Sequence, residues 1–297
     1  MAKIVLASKV ARRRAQFAIV SDLMPEKNVL AWEEFEKELE KLQKHLTRGG
    51  REQHLLFRGQ ENSSWALETT LERYGYQDIA FSEYYQVIST LRPEVETLTG
   101  ARWGKMPRYN KVREGMDKPG EFSVDLVNKY GFPGYEFMVY LRHHGFPSPL
   151  LDWTRSPFIA AYFAFRRPSK VAKKVSIYVY CEHPNQIKRL PRYEPVIISH
   201  GSYVRAHRRH FLQQCEYTSC LAFKSPVRFV LHDAVLDRSK RSQDLLWKFN
   251  IPVSERSKVL QMLDAHNLNA FSLFGSEESL METLALRALE FRRPTRP

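Results

Sequence analysis

The sequence predicts a single α+β domain, and three observations carry that prediction. Apolar residues recur at three- and four-residue intervals near the N-terminus and again near the C-terminus, the pattern of helices that bury one face. Between them lie short runs rich in β-branched and aromatic residues, above all VSIYVYC from Val175 to Cys181, which read as strands. No linker-like stretch, repeat or low-complexity tract divides the 297 residues. Residues 1–297 are therefore read as one unit, with an N-terminal extension and helix over 1–50, a core over 51–235 and a helical part over 236–297.

The elements follow in chain order. Ile4 to Ala7 and Phe17 to Ser21 are short extended segments around the basic turn Arg12 to Arg14. Ala31 to Leu46 is an amphipathic helix with Trp32, Phe35, Leu39, Leu42 and Leu46 on one face, and Gly49-Gly50 stops it. His54 to Gly59 is a short buried strand ending in arginine and glycine. Polar residues from Gln60 to Ser64 form a turn, and Trp65 to Arg73 starts another segment. Phe81 to Leu98 is a helix with Tyr84, Tyr85, Ile88, Leu91 and Val95 inward. Thr99 to Pro119 lacks a period and reads as a long surface excursion, while Phe122 to Lys129 and Tyr135 to His143 read as helices. Beyond residue 165 the strands are Val175 to Cys181, Val196 to Ile198, Phe211 to Phe223 and Val227 to Leu231. From Asp244 onward the pattern turns helical, with helices at Ser254 to Ala265 and Glu277 to Phe291.

The chain is organised around residues 140–165, YLRHHGFPSPLLDWTRSPFIAAYFAF. The Gly145 to Pro149 segment breaks the preceding helix, because two prolines exclude continuous helix. Ser156 before Pro157 is a helix-start signal, and Phe158, Ile159, Ala161, Tyr162, Phe163 and Phe165 make the helix that follows apolar on most of its face. Asp152, Thr154 and Ser156 thus gather at a helix N-terminus, where free N–H groups receive anions or sugar hydroxyls. Two readings stand together. Either this loop binds a ligand, or Asp152 and Ser156 cap the helix and Trp153 fills the core.

Composition narrows the function. A hydrophobic content of 43% with 12% aromatics supports a substantial core. Cys181, Cys215 and Cys220 are few, odd in number and without ligand companions in the linear sequence. This predicts a reducing compartment and no metal. No secretory leader and no run of roughly 18 apolar residues is visible, so a cytoplasmic protein without membrane contact is expected. The formal charge of +13 points to a polyanionic partner. Between Arg166 and His210 eleven Lys or Arg face two acids, with Tyr178, Tyr180, Tyr193 and Tyr203 interleaved. Basic residues mixed with aromatics suit phosphates and stacked bases, so region 166–210 is the expected nucleic-acid contact. A sheet edge protected by lysines gives the same pattern.

Phosphate-loop, serine-elbow, His-Glu-x-x-His and Cys-x-x-Cys motifs are absent. Arg58 stands out because the strand before it is apolar. Its guanidinium needs carbonyls, a carboxylate or a phosphate, and a structural salt bridge to Asp152 is the plain alternative to ligand binding. His143 and His144 are either acid–base groups or hydrogen-bonded structural residues.

At these residues a family resemblance enters. Phe57-Arg58-Gly59-Gln60 with Trp65 and Leu67, then His144-Gly145-Phe146-Pro147, then LLDWTRSPFIAAYFAF, resembles the FRG domain, named for its Phe-Arg-Gly motif. Arg209-x-x-x-Gln213-Gln214-Cys215-Glu216-Tyr217-Thr218 is similar to a later block of that family, with Cys215 in place of its glycine. The end from Trp247 to Leu289, including Leu273-Phe274, resembles its helical tail. The resemblance covers most of residues 30–290, and FRG domains often occur near defence and toxin systems. A second resemblance is to ADP-ribosyltransferases. It implies an α+β fold with a split mixed/antiparallel sheet, a catalytic-like core over 51–235 and NAD as co-substrate. On it Arg58 matches the arginine that holds the NAD phosphates. Thr154 and Ser156, with Asp152, occupy the Ser-Thr-Ser block of the nicotinamide-ribose pocket, and Gln214-Cys215-Glu216 occupies the Gln-x-Glu position. The implied catalytic set is Arg58, Asp152, Thr154 and Glu216. The implied NAD-binding set is Arg58, Gly59, His144, Trp153, Thr154, Ser156, Gln213 and Gln214, with Trp153, Phe158 and Phe163 excluding water. Asp-Trp-Thr departs from Ser-Thr-Ser, and FRG relatives often lack a glutamate at the position of Glu216, so Asp152 or Gln213 is the alternative polar group.

The expected function is ADP-ribose transfer to a nucleic acid, RNA favoured, or to a protein, in a toxin or anti-phage effector restrained by a neutralising antitoxin. The alternatives are a non-enzymatic nucleic-acid-binding module and an NAD glycohydrolase.

Overall fold

The computed structural model describes residues 25–47, 53–103, 106–117, 132–167, 170–182, 195–202, 204–205, 207–232, 235 and 244–292. The expectations for Ile4 to Ala7, Arg12 to Arg14, Phe17 to Ser21, Gly49-Gly50 and Phe122 to Lys129 lie outside the described residues.

Among the described residues nine strands form one sheet, ordered β1 (Glu26–Asn28), β9 (Leu245–Pro252), β5 (Lys174–Cys181), β2 (Leu55–Gln60), β4 (Leu151–Thr154), β7 (Cys215–Ala222), β8 (Arg228–Phe229) and β3 (Ile79–Ala80), with β6 (Pro195–Ser199) paired to β7. Only β1 against β9 is parallel, so the sheet is mixed and the fold is α+β. The join between β2 and β4 is a single pair, Phe57↔Thr154, whereas β2 pairs β5 over its whole length. The sheet is therefore two halves that touch at one residue pair and diverge beyond it.

Helices cover one face of both halves. Helix α1 (Trp32–Leu46) lays Trp32, Phe35 and Leu39 against the β5–β9 side, with the Phe35 and Phe249 rings edge to face at 5.4 Å. Its first turn carries Glu33 and Glu34 and its last Lys44 and His45, both favourable to the helix dipole. A short helix α2 (Thr70–Arg73) is held by a capping box between Thr69 and the buried Glu72. Helices α3 (Phe81–Thr99), α4 (Tyr109–Asp117) and α5 (Tyr135–His143) cover β7 with Tyr84, Tyr85, Ile88, Met116 and Phe137. Helix α6 (Pro157–Phe165) lies against β2, and its Ile159, Ala160 and Ala164 are fully buried. A short α7 (Arg208–Leu212) leads into β7. Helices α8 (Arg256–Ala265), α9 (Ala270–Phe274) and α10 (Glu277–Ala285) finish the chain, with a π-turn at Leu286–Glu290. The other face carries a smaller cluster around Leu56, Trp153, Tyr178 and Tyr180.

Several expectations are corrected. The region from Asp244 begins with strand β9 instead of a helix. Phe249 and Ile251 alternate onto the helix-covered face, while Lys248 and Asn250 meet Glu26 and Ser176 on β1 and β5. Thr99 to Pro119 is not wholly irregular, because helix α4 buries Val112 and Met116, one apolar contact per turn and too sparse for a visible period. Leu151–Thr154 is a strand and not a loop. The segment Phe211 to Phe223 becomes strand only from Cys215, and Val227 to Leu231 contracts to Arg228–Phe229.

Candidate functional site

The divergence of β2 from β4 leaves main-chain groups without ladder partners, and Arg58 occupies that gap. Its Nη1 donates to the carbonyl oxygen of Asp152 and to Asp152 Oδ1, both at 2.7 Å. From the last turn of α5, Arg142 Nη2 donates to the same Oδ1, also at 2.7 Å. The Arg58 and Arg142 side chains are 10% and 18% exposed, that of Asp152 39%. Burial opposes ionisation of Asp152, but the charges and hydrogen bonds of Arg142 and Arg58 outweigh it and hold the carboxyl well below the usual range. Among the described residues no hydrogen bond engages Asp152 Oδ2 or Arg58 Nη2. The Nε atoms of Arg58 and Arg142 are buried without partners among the described residues.

Here the sheet opens into a cavity of about 570 Å³, within the range of small-molecule sites. It is lined on the β2 side by Phe57, Arg58, Gly59 and Gln60, on the β4–β7 side by Asp152, Trp153, Thr154 and Cys215, and on the α6 side by Ala160 and Phe163. The loop 61–68 and Arg73, Arg167 and Gln213 close it. Cations crowd this space. Burial and the neighbouring charges of Arg58 and Arg142 lower the pKa of Arg73, a direction that marks a positive field seeking an anion. Glu61, 3.9 Å from Arg167 across the cavity wall, has its carboxyl pushed up by burial. Two carboxylates of one cavity are thus driven in opposite directions.

Each residue expected from the sequence now has a place. Arg58, Gly59, Asp152, Trp153, Thr154 and Gln213 line the cavity together. Gly59 is needed for the α6 contact, since a Cβ there would lie 1.9 Å from the Ala160 carbonyl oxygen and 2.6 Å from Ala164 N. Thr154 Oγ1 donates to the Gln213 carbonyl at 2.8 Å, tying β4 to the turn before β7, and Gln213 Nε2 donates to the Leu273 carbonyl. The indole of Trp153 turns to the opposite face, where Nε1 donates to Thr218 Oγ1 and the ring stacks on Tyr180.

Ser156, Gln214, His144 and Glu216 do not line the cavity. Ser156 caps α6, its Oγ accepting from Ile159 N. Gln214 is exposed in a left-handed conformation (φ 49°), with its carbonyl accepting from Arg155 N. His144 is exposed and sits against Tyr140 and His207. Glu216 pairs with Trp153 in register and so faces away from Thr154. There His54 Nε2 lies 3.0 and 3.1 Å from its two oxygens, and this hydrogen bond raises the His54 pKa. Phe163 lines the cavity, whereas Phe158 lies outside it against Trp32.

Arg142, Arg73, Arg167 and Glu61 were not singled out in the sequence. Arg142 had a signal, since a basic residue ends an apolar helix ten positions before Asp152. Behind the cavity the Cys215, His143 and His210 donor atoms lie within 4.8 Å of one another, so Cys215 has companions in space that the linear spacing does not reveal. They surround the Tyr217 hydroxyl, 2.6 Å from His143 Nε2 and 3.2 Å from His210 Nδ1. His210 Nε2 donates to the Ser202 carbonyl, so its Nδ1 accepts from Tyr217 and His143 Nε2 donates to the same oxygen. Burial pushes the His143 pKa down to about 4 and the Cys215 thiol up to about 12, which keeps this hub neutral.

In the described part of region 166–210 several cations are engaged. Arg166 pairs with Glu282 at 2.6 Å and lies over the Phe274 ring, and Lys174 donates to Asn28. Lys188, Arg189, Arg192, Tyr193 and Tyr203 lie outside the described residues. Among the described residues no helix is long and apolar enough to cross a membrane.

Neither a curated protein nor a solved structure matches the chain. Residues 53–173 match the FRG domain. That span holds β2 with its Phe57-Arg58-Gly59 motif, the Asp152 strand and helix α6, which together build most of the cavity wall. Residues 53–173 of the chain thus carry an FRG domain.

Proposed function

We propose that the chain is an NAD-dependent ADP-ribosyltransferase whose active site is the split-sheet cavity. The observation that carries this reading is the charge arrangement there: Arg58, Arg73 and Arg167 around a carboxylate held ionised by Arg58 and Arg142. The wall carries three guanidiniums and the three carboxylates of Glu61, Glu68 and Asp152; Arg58, Arg73 and Arg167 are the groups suited to a diphosphate, with Arg142 offsetting the charge of Asp152. An anion whose second oxygen takes no hydrogen bond among the described residues suits the positive charge that grows on the ribose as the bond from C1′ to the nicotinamide nitrogen breaks. Asp152 then serves as a fixed charge and not as an acid or base, because it stays ionised at any working pH.

The proton balance assigns a second carboxylate. The acceptor atom bonds to C1′, the C1′–N electron pair leaves with nicotinamide, and the acceptor's proton passes to a base. Glu61, raised by burial, is a carboxylate of the cavity wall suited to take it. The Thr154–Gln213 bond fixes β4 against the turn before β7 on one side of the split, and Phe163 supplies apolar wall. Glu216 is not required in this scheme.

The +13 charge favours a nucleic-acid acceptor, RNA first, over a protein. A toxin or defence role with a neutralising antitoxin is the biological setting that the family implies. The test is incubation of the full chain with labelled NAD and RNA, DNA or lysate protein. Label in RNA with equal nicotinamide released supports the reading. Nicotinamide release indifferent to RNA would make the chain an NAD hydrolase. RNA binding with a steep salt slope and no NAD consumption would make it a binding module.

A further inference from the structure

We infer that Trp65 is the stacking platform for the base of a nucleoside diphosphate held in the cavity. This rests on the reading of the cavity as a dinucleotide site and names where its base lies.

Four aromatic residues line the cavity, and three are committed elsewhere. Phe57 is 2% exposed within the core. Trp153 is buried and stacked on Tyr180 at 5.3 Å. Phe163 meets Tyr162 and Phe274 edge to face at 5.6 and 5.9 Å. Trp65 is different. It is 47% exposed, belongs to none of the core clusters, and its ring contacts no other ring among the described residues. A large apolar ring left half in water beside arginines has the composition of a nucleotide site, with a flat π-face for the base and guanidiniums for the phosphates.

The backbone beneath it is fixed. Ser64 N and Oγ both donate to Asn62 Oδ1, at 2.9 and 2.8 Å, and Trp65 N donates to the Asn62 carbonyl at 3.2 Å. Gln60 Nε2 donates to the Ala66 carbonyl at 3.0 Å, and Ser63 N to the Lys174 carbonyl at 2.9 Å. The loop is tied to β2 and β5 on both sides of Trp65, so the ring needs little ordering when a base arrives. Stacking reads any base face, so this platform supplies affinity for nucleotides more than choice among them.

The test is calorimetric titration of the full chain with ADP, ADP-ribose and pyrophosphate, comparing wild type, Trp65→Leu and Trp65→Phe. In the wild type ADP binds tighter than pyrophosphate. Trp65→Leu should lose roughly 5- to 150-fold in ADP affinity, leave pyrophosphate affinity unchanged, and be largely rescued by Trp65→Phe. Equal binding of ADP and pyrophosphate by the wild type, or unchanged ADP binding by folded Trp65→Leu, overturns the inference. Trp65-dependent ADP binding without NAD turnover would sustain it while removing the transferase reading. NAD turnover untouched by Trp65→Leu, with ADP affinity also unchanged, would do the reverse.

Discussion

Replacing Asp152 by alanine should destabilise the protein before it reports on chemistry. In the native state one oxygen, Oδ1, receives Arg58 and Arg142 at 2.7 Å each, and the side chains of the two arginines are only 10% and 18% exposed. Truncation leaves two buried guanidiniums facing each other with Arg73 nearby. Breaking a buried ion pair costs about 3–5 kcal/mol. The Asp152 side chain is itself 39% exposed, so solvent screening places this case near the low end, about 3 kcal/mol. That corresponds to a fall in Tm of roughly 6–12 °C. Arg142→Met should cost less in the Asp152→Ala background than in the wild type, with a coupling of about 1 kcal/mol or more. Urea unfolding of the four proteins measures this. The pH dependence has a definite sign. Because the folded pKa of Asp152 lies below its unfolded value near about 3.9, the contribution is complete above about pH 5 and is lost only as pH falls through the folded value. An Asp152→Ala protein within about 1 kcal/mol of wild type, with additive double-variant behaviour, would refute the clamp. The same argument makes Asp152→Asn the better probe of activity, since it keeps the acceptor oxygen.

Three further outcomes follow from particular contacts. Gly59→Ala forces a Cβ into the Ala160 carbonyl and should cost about 3 kcal/mol or more, seen as lost soluble yield or a lowered Tm; a wild-type Tm would mean α6 is free to move off β2. His54 is raised by Glu216, so its stabilising effect is full below about pH 6.5 and fades as pH rises through the folded value. With His54 half exposed, the gap between wild type and His54→Gln should stay below about 1 kcal/mol and shrink towards pH 9, and a gap that grows with pH would reverse the assignment. If Glu61 takes the acceptor's proton, the acidic limb of the nicotinamide-release profile should sit above the ordinary carboxylate range and vanish in Glu61→Gln, whereas a limb retained in that variant would place the base elsewhere.

How much of this was legible in the sequence depends on whether the determining forces are local. Helices α1, α3, α5 and α6 follow from apolar spacing and from Ser156-Pro157 as a start signal, and the structure shows that cap. Strand β9 was hidden because Lys248 and Asn250 interrupt its apolar run, and their partners Glu26 and Ser176 lie in distant strands. Strand β4 was hidden because four residues between prolines carry almost no periodic signal. The Arg58–Asp152 ion pair was foreseen as the plain reading of a cation ending an apolar strand, and it is present. Its third member, Arg142, enters because the last turn of α5 is brought back against β4, a tertiary contact that no spacing encodes. Alternation explains Glu216. The Gln-x-Glu resemblance assigns it to the same site as Thr154, but β7 puts Cys215 and Glu216 on opposite faces, and the cavity receives Cys215.

The most direct measurement is chromatographic quantification of nicotinamide released from NAD by the full wild-type chain with and without RNA, beside Arg73→Ala and folded Asp152→Asn. The cavity arrangement predicts release that rises with RNA, a higher KM for NAD in Arg73→Ala, and a lower kcat with little change in KM in Asp152→Asn. Intact NAD after prolonged incubation of folded wild-type protein with RNA, DNA and lysate would contradict it.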